Sequence, residues 1–146
     1  MTRALIWLGG LALLAATAID TVSVFGRNLG FSIHGSIELI QAAVLVAGGT
    51  ALVLATLHGS HAKVHILVDR FTPANKALSE RGAALMTALF FAALLAGSLW
   101  IAADLWNAHE LSELVGVPWR WLRLFANLCL AATMLILLRR AVRGQR

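Results

Sequence analysis

Apolar residues form four long stretches along the chain, and short polar segments separate them. The stretches cover residues 4–26, 36–58, 83–106 and 119–138. Each reaches the ~20 residues that an α-helix needs to cross the hydrocarbon core of a bilayer. The pattern therefore predicts an all-α integral membrane protein with four transmembrane helices. Little chain remains outside these helices, so we expect residues 1–146 to form a single membrane domain.

The first stretch also has two features of a signal peptide. Arg3 precedes the apolar run, and the run reaches the small residues Ala16 and Ala18. Apolar residues continue beyond Asp20, however, so the run is long enough to span a bilayer. We expect the first helix to be retained.

The connections between the stretches differ in character. Gly30 and Gly35 predict a tight turn between the first two helices. Thr72 and Pro73 are typical of a helix start, with an N-cap followed by proline in the first turn, so the third helix is expected to begin outside the bilayer. Before that start, residues 61–71 interleave apolar side chains with histidine and charged side chains. This alternation predicts an interfacial segment between the second and third helices.

The composition excludes several classes of protein. Apolar residues make up 60% of the chain and charged residues 13%, whereas soluble domains average roughly 45–50% and 25%. The 12 Lys and Arg residues exceed the 7 Asp and Glu residues, but they are spread over the helix flanks. They form no continuous basic face, so nucleic acid is not an expected partner. The single cysteine, Cys129, excludes an intrachain disulfide.

The distribution of basic residues predicts the orientation of the helices. Four spans place both termini on one side of the membrane, and nine of the 12 Lys and Arg residues belong to that side. The other three are Arg27, Arg120 and Arg123. Because cytoplasmic segments carry the excess of basic residues, we expect the N- and C-termini to be cytoplasmic and residues 107–118 to form an external loop.

Six ionisable residues fall at one level near the external ends of the predicted helices. They are Asp20, Glu38, Asp104, Arg27, Arg120 and Arg123. Ionisable groups at membrane depth are costly, so we expect these acids and bases to pair in a polar network that fixes the register of the helices. Ion translocation is the less favoured interpretation, because no predicted helix is interrupted near its midpoint.

Alanine repeats every four residues in the second and third helices. The repeats are Ala43, Ala47, Ala51 and Ala55, and Ala84, Ala88, Ala92 and Ala96. Small residues at this spacing let helix backbones approach closely, so we expect the two alanine ridges to pack against each other. The alternative is that a common residue recurs by chance. The apolar outer faces of the first and fourth helices are the expected contacts with a larger partner.

The histidines offer the only candidate ligands for a metal or haem. His58, His61, His65 and Asp69 would lie along one face of a helix, but a single helical row normally gives zinc only two ligands at once. A haem would need two histidines at matching depth on facing helices, and His58 has no such partner. We therefore expect no metal and no cofactor. The sequence also has no catalytic nucleophile next to a general base and no phosphate-binding motif, so we expect no catalysis.

The chain from about Phe25 to Leu138 resembles the small membrane subunit, DctQ type, of tripartite ATP-independent periplasmic (TRAP) transporters. The most specific match is the segment His65, Ile66, Leu67, Val68 and Asp69, in which His65, Val68 and Asp69 stand at the family's motif positions. Residues 35–38 at the start of the second helix and residues 114–119 before the fourth are further matches. Ile37 departs from the pair of adjacent acids that many members carry.

The resemblance implies a non-catalytic subunit of a secondary transporter, with several passes through the bacterial inner membrane. In such systems a periplasmic binding protein captures an organic acid-like solute, and a large membrane subunit carries it inward by means of a sodium gradient. The small subunit would extend the static scaffold. Its partners would be the large TRAP membrane subunit, the periplasmic substrate-binding protein and the lipid bilayer. The binding protein would dock near Glu110, Glu113 and Arg120.

Three other functions compete with this interpretation. The small subunit of a tripartite tricarboxylate transporter is similar in size and number of spans, although the segment from His65 to Asp69 favours the TRAP family. A small exporter acting as a dimer would carry an acid in the middle of its first helix, whereas Asp20 lies nearer the external end. A haem-anchoring subunit would need the paired histidines that the predicted helices lack.

Overall fold

Four α-helices make up the fold. The computed structural model describes residues 2–31, 33–59, 73–108 and 110–143. The helices are α1 (Thr2–Asn28), α2 (Ser36–His58), α3 (Pro73–Asp104) and α4 (Trp119–Arg143). All four are long and apolar enough to cross a membrane. The predicted all-α class and the four predicted spans are therefore confirmed, whereas the predicted interfacial segment lies outside the described residues.

Glycine and proline set several of the helix ends. α2 lies between Gly35 and Gly59, whose φ angles are 78° and 69°. A left-handed backbone of this kind is accessible to glycine at little cost, and it stops or starts a helix sharply. The N–H of Gly59 bonds to the carbonyls of Ala55 and Thr56 and so closes the last turn of α2. α3 begins at Pro73, the residue that the sequence predicts.

The helices pack in the order α1, α2, α4, α3. α1 packs on α2, α2 on α4, and α4 on α3, whereas α2 and α3 do not pack along each other within the described residues. The predicted contact between the two alanine ridges is therefore wrong. Ala88 of α3 is instead buried in a cluster with Leu137 of α4. Phe91 of α3 belongs to the same cluster, so α3 packs on α4 through both a small and a large side chain.

α4 is tied to both of its neighbours by hydrogen bonds. The hydroxyl of Ser98 in α3 donates to Oδ1 of Asn127 at 2.5 Å. At the other end of α4, the Arg140 guanidinium donates to the backbone carbonyl of Leu57 in α2 at 2.8 Å. A cation at this position satisfies a carbonyl that the last turn of α2 leaves without a helical partner, and it complements the helix dipole.

α1 and α2 approach closely at two points. A Cβ atom added at Gly9 would lie 2.5 Å from Oγ1 of Thr50, which is itself fully buried. Nearer the other end, the hydroxyls of Ser23 and Ser36 are buried and bond to each other at 3.0 Å. Both contacts depend on small side chains, because association between helices in lipid relies on close packing and polar pairs.

Replacing Gly9 by leucine is expected to weaken the packing of α1 on α2. The new side chain would overlap Thr50, so the helices must separate, at a cost of about 1–3 kcal/mol in the free energy of unfolding. Equilibrium unfolding of the purified chain in mixed micelles measures this loss. Gly10→Leu is the matched control, since a Cβ there meets nothing within 4 Å. Equal stability of the two variants would contradict the observed contact.

Candidate docking site at the loop end of the bundle

The connections 29–35 and 105–118 lie at the same end of the four helices, which we call the loop end. An open cavity of about 850 Å³ is present there between the start of α2, the second connection and the start of α4. Four of the predicted site residues line it, namely Glu38, Glu110, Glu113 and Arg123. The structure therefore brings together residues from three parts of the sequence at one polar site.

The connection between α3 and α4 forms a small folded hairpin. Leu111 and Pro118 form an antiparallel bridge, and the N–H of Ser112 donates to the carbonyl of Val117 at 2.9 Å. The tip of the hairpin turns through Gly116, whose φ is 71° and whose N–H bonds to the carbonyl of Ser112 at 3.0 Å. These bonds satisfy backbone groups that an irregular loop would leave to solvent.

Glu38 holds this hairpin against α2. Its carboxylate accepts a hydrogen bond from the hydroxyl of Ser112, and it also accepts from the backbone N–H groups of Leu114 at 3.2 Å and Val115 at 3.1 Å. Hydrogen bonds to an ionised acceptor are roughly twice as strong as neutral ones. Glu38 also lies in the first turn of α2, where the helix dipole favours a negative charge. One carboxylate therefore connects the start of α2 with the α3–α4 hairpin.

Gly35 completes this contact. A Cβ added there would lie 2.5 Å from Cγ2 of Val115 and 3.3 Å from Cβ of Leu114. The position therefore needs glycine for two reasons, its left-handed backbone and the close approach of the hairpin. Sequence reasoning selected Glu38 and placed Gly35 in a turn, but it missed Ser112 and the contact of Gly35 with the hairpin. A glycine three residues before an acid in a first turn was the available signal for a tightly packed helix start.

Arg123 pairs with Glu110 across the hairpin. Its Nη2 atom lies 2.9 Å from Oε2 of Glu110, and the two side chains are 23% and 38% exposed. Partly exposed pairs of this kind contribute little to stability, about 0–1 kcal/mol. The pair instead orients the start of α4 relative to the hairpin. Arg120 does not join it and lies over the ring of Trp121, 5.6 Å from the ring centre.

The structure does not gather the six predicted network residues into one cluster. Glu38 and Arg123 line the same cavity but bond to the hairpin and to Glu110. Asp20, Arg27 and Asp104 are exposed, and none of them forms an ion pair with a residue that the structure describes. The expected pairing of these acids with these bases is therefore not seen among the contacts of the described residues.

The remaining candidates are the residues of the histidine row and of the family motif. His61, His65, Val68 and Asp69, which include the three motif residues, lie outside the described residues. Within the described ranges, no group of three or more His, Cys, Asp and Glu side chains is placed to hold a metal ion.

A known protein family matches most of this chain. The family described as tripartite ATP-independent periplasmic transporters, DctQ component, matches residues 16–146. The chain belongs to this family. The resemblance read from the sequence is thereby confirmed, and the TRAP interpretation is supported over the tripartite tricarboxylate alternative. Searches of curated proteins and of solved structures gave no match.

The DctQ match spans every element that builds the loop-end site. It includes α2 with Glu38, the hairpin with Ser112, and the start of α4 with Arg123. This DctQ-type subunit is thus a small membrane component of a TRAP transporter with a polar, folded surface at one end of its helices.

Proposed function

We propose that this chain is the non-catalytic scaffold subunit of a TRAP-type secondary transporter. It works with a large membrane subunit and a periplasmic binding protein to import an organic acid-like solute by means of a sodium gradient across the bacterial inner membrane. The match to the DctQ family over residues 16–146 carries this proposal.

The helices support a scaffold role. α1, α2 and α4 each run without a break over the length of a membrane span, and α3 does so from Leu78 to Asp104. Secondary carriers commonly interrupt their helices near the midplane, where unwound backbone binds substrate and coupling ions. Continuous, apolar helices suit a static support better than they suit a substrate pathway.

The loop end suits the docking of a soluble partner. With the termini in the cytoplasm, as the basic residues predict, the hairpin and its cavity face the periplasm. Glu38 and Arg123 keep the hairpin in place, while Glu113 and Arg120 are exposed, so another protein can reach them. Exposed charges at the rim of an interface mainly change the association rate and its salt dependence. We propose that Glu110, Glu113 and Arg120 form part of the surface on which the binding protein docks.

Reconstitution in liposomes tests the proposed function. The chain alone, the large subunit alone, and both together should be compared, each with the binding protein and the solute that this binding protein retains. We expect sodium-dependent uptake only when both membrane subunits and the binding protein are present. Uptake by the single chain, or full uptake by the large subunit without it, would overturn the scaffold role.

A further inference from the structure

The residues that the structure describes leave one side of α2 uncovered. α1 packs on a second side of the helix and α4 on a third. Five residues mark the open side, at alternating spacings of four and three that keep them on a single face. They are Ile37, Gln41, Val44, Gly48 and Ala51, and all five are exposed. We call this side the open face of α2.

A groove runs between the open face of α2 and the neighbouring helix α1. Its cavity measures about 460 Å³, and its lining includes Val44 and Gly48 from α2 and Ile6 and Leu13 from α1. A Cβ added at Gly48 would meet nothing within 4 Å, so the groove has free space at this position. Both helices are apolar enough here to lie within a membrane.

Charged residues continue the α1 wall of this groove. Ile6 and Leu13 are seven residues apart, and Asp20 and Arg27 follow at the same spacing, so all four point to one side of the helix. Asp20 is exposed and has no ion pair with a described residue. It stands eight residues before the end of α1, which is about 12 Å along the helix axis.

The charge of Asp20 decides which occupant fits the groove. A carboxylate at membrane depth should face protein or a charged partner, and a lipid acyl chain offers neither. A second copy of this chain in the same orientation would bring its own Asp20 to the same depth, so two negative charges would meet. The groove is therefore complementary to a helix of a different chain with a basic side chain at this level.

We propose that the groove between α1 and the open face of α2 binds a transmembrane helix of the large membrane subunit, and that a basic side chain of this helix faces Asp20. The proposal rests on the proposed function, which supplies the partner. The spacing of four and three residues along the open face matches the seam that a second helix follows, and Gly48 lets its backbone come close. The interface thus lies between α1 and α2, whereas the sequence suggested the outer faces of α1 and α4.

Two glycine variants test the position of the interface. The chain, carrying an affinity tag, is expressed together with its large subunit, and the amount of large subunit that co-purifies is measured. Gly48→Leu should fill the groove and reduce co-purification by about tenfold or more, because large side chains block close helix packing. Gly97→Leu in α3 is the matched control, since its Cβ also meets nothing within 4 Å. It should leave co-purification unchanged.

Two acid variants test the occupant and do not depend on the packing of the groove floor. Asp20→Leu should reduce co-purification, whereas Asp104→Leu, at another exposed acid on α3, should not. If a lipid filled the groove, Asp20→Leu would remove a charge from lipid, and assembly would be unchanged or improved. That result would overturn the proposal. The proposal would also be overturned if the chain formed a dimer that Gly48→Leu abolished, while this variant still retained the large subunit.

The outcomes also separate this proposal from the proposed function. If the unmodified chain fails to retain the large subunit, the assignment to the transporter assembly fails. If it retains the large subunit and Gly48→Leu and Asp20→Leu do so equally, only the position of the interface is wrong. Unfolding of each purified variant in detergent, compared with the unmodified chain, shows that the variants are folded.

Discussion

Replacing Glu38 by alanine is expected to release the α3–α4 hairpin from α2. The backbone N–H groups of Leu114 and Val115 would lose the carboxylate that accepts their hydrogen bonds, and so would the hydroxyl of Ser112. Amide hydrogen exchange in a peptide that contains these residues should accelerate by at least about tenfold, because exchange follows the population of the locally open state. Mass spectrometry of the purified chain in detergent measures this change.

Glu113→Ala is the control for this experiment. Glu113 lies in the same hairpin and is exposed, and its carboxylate has no hydrogen bond or ion pair to a residue that the structure describes. Its removal should leave exchange at Leu114 and Val115 close to that of the unmodified chain. If Glu38→Ala and Glu113→Ala gave the same exchange rates, the hairpin would be held by its own backbone bonds alone, and Glu38 would have no anchoring role.

The extent of the helices could be predicted best where glycine or proline interrupts the chain. Residues 36–58 were predicted for the second helix and agree with α2, because Gly35 and Gly59 break the helix at both ends. α3 begins at Pro73, before the apolar stretch that predicts it, and α4 continues to Arg143, beyond the end of its apolar stretch. Hydrophobicity shows which part of a helix lies in lipid, whereas backbone hydrogen bonds continue into polar residues outside it.

The order of helix packing could not be predicted from the spacing of small residues. Gly49 of α2 gives room to Phe125 and Cys129 of α4, which a Cβ at Gly49 would approach to 3.1 Å. Alanine and glycine on one helix thus pair with large side chains on another, and many such pairings fit one sequence. The choice among them depends on three-dimensional shape, which periodicity does not contain.

The candidate site was predictable in its acids and bases but not in their partners. Glu38 was expected to pair with an arginine, whereas its donors are two backbone N–H groups and the hydroxyl of Ser112. Backbone donors belong to every residue, so a sequence pattern cannot select the pair that a folded hairpin presents. Glu110 and Arg123 are 13 residues apart and meet because the hairpin folds back on the start of α4.

A cysteine introduced at the loop end is expected to react with a membrane-impermeant thiol reagent that is added to intact cells. The nine-to-three distribution of basic residues predicts that the loop end faces the periplasm and the opposite end the cytoplasm. Single cysteines are placed by Glu113→Cys and Asn75→Cys in a Cys129→Ala background. Glu113 suits this purpose because it is exposed, whereas neighbouring Ser112 is buried and bonds to Glu38.

Labelling of the two cysteines should differ almost completely. The cysteine at position 113 should react in intact cells that lack the binding protein, so that no docked partner covers it. The cysteine at position 75, near the start of α3, should react only after the membrane is permeabilised, because α3 crosses the bilayer between the two positions. The Cys129→Ala background alone controls for labelling of other proteins. Labelling at position 75 and not at 113 in intact cells would reverse the orientation, and the loop-end cavity would then face the cytoplasm, where no periplasmic protein could dock.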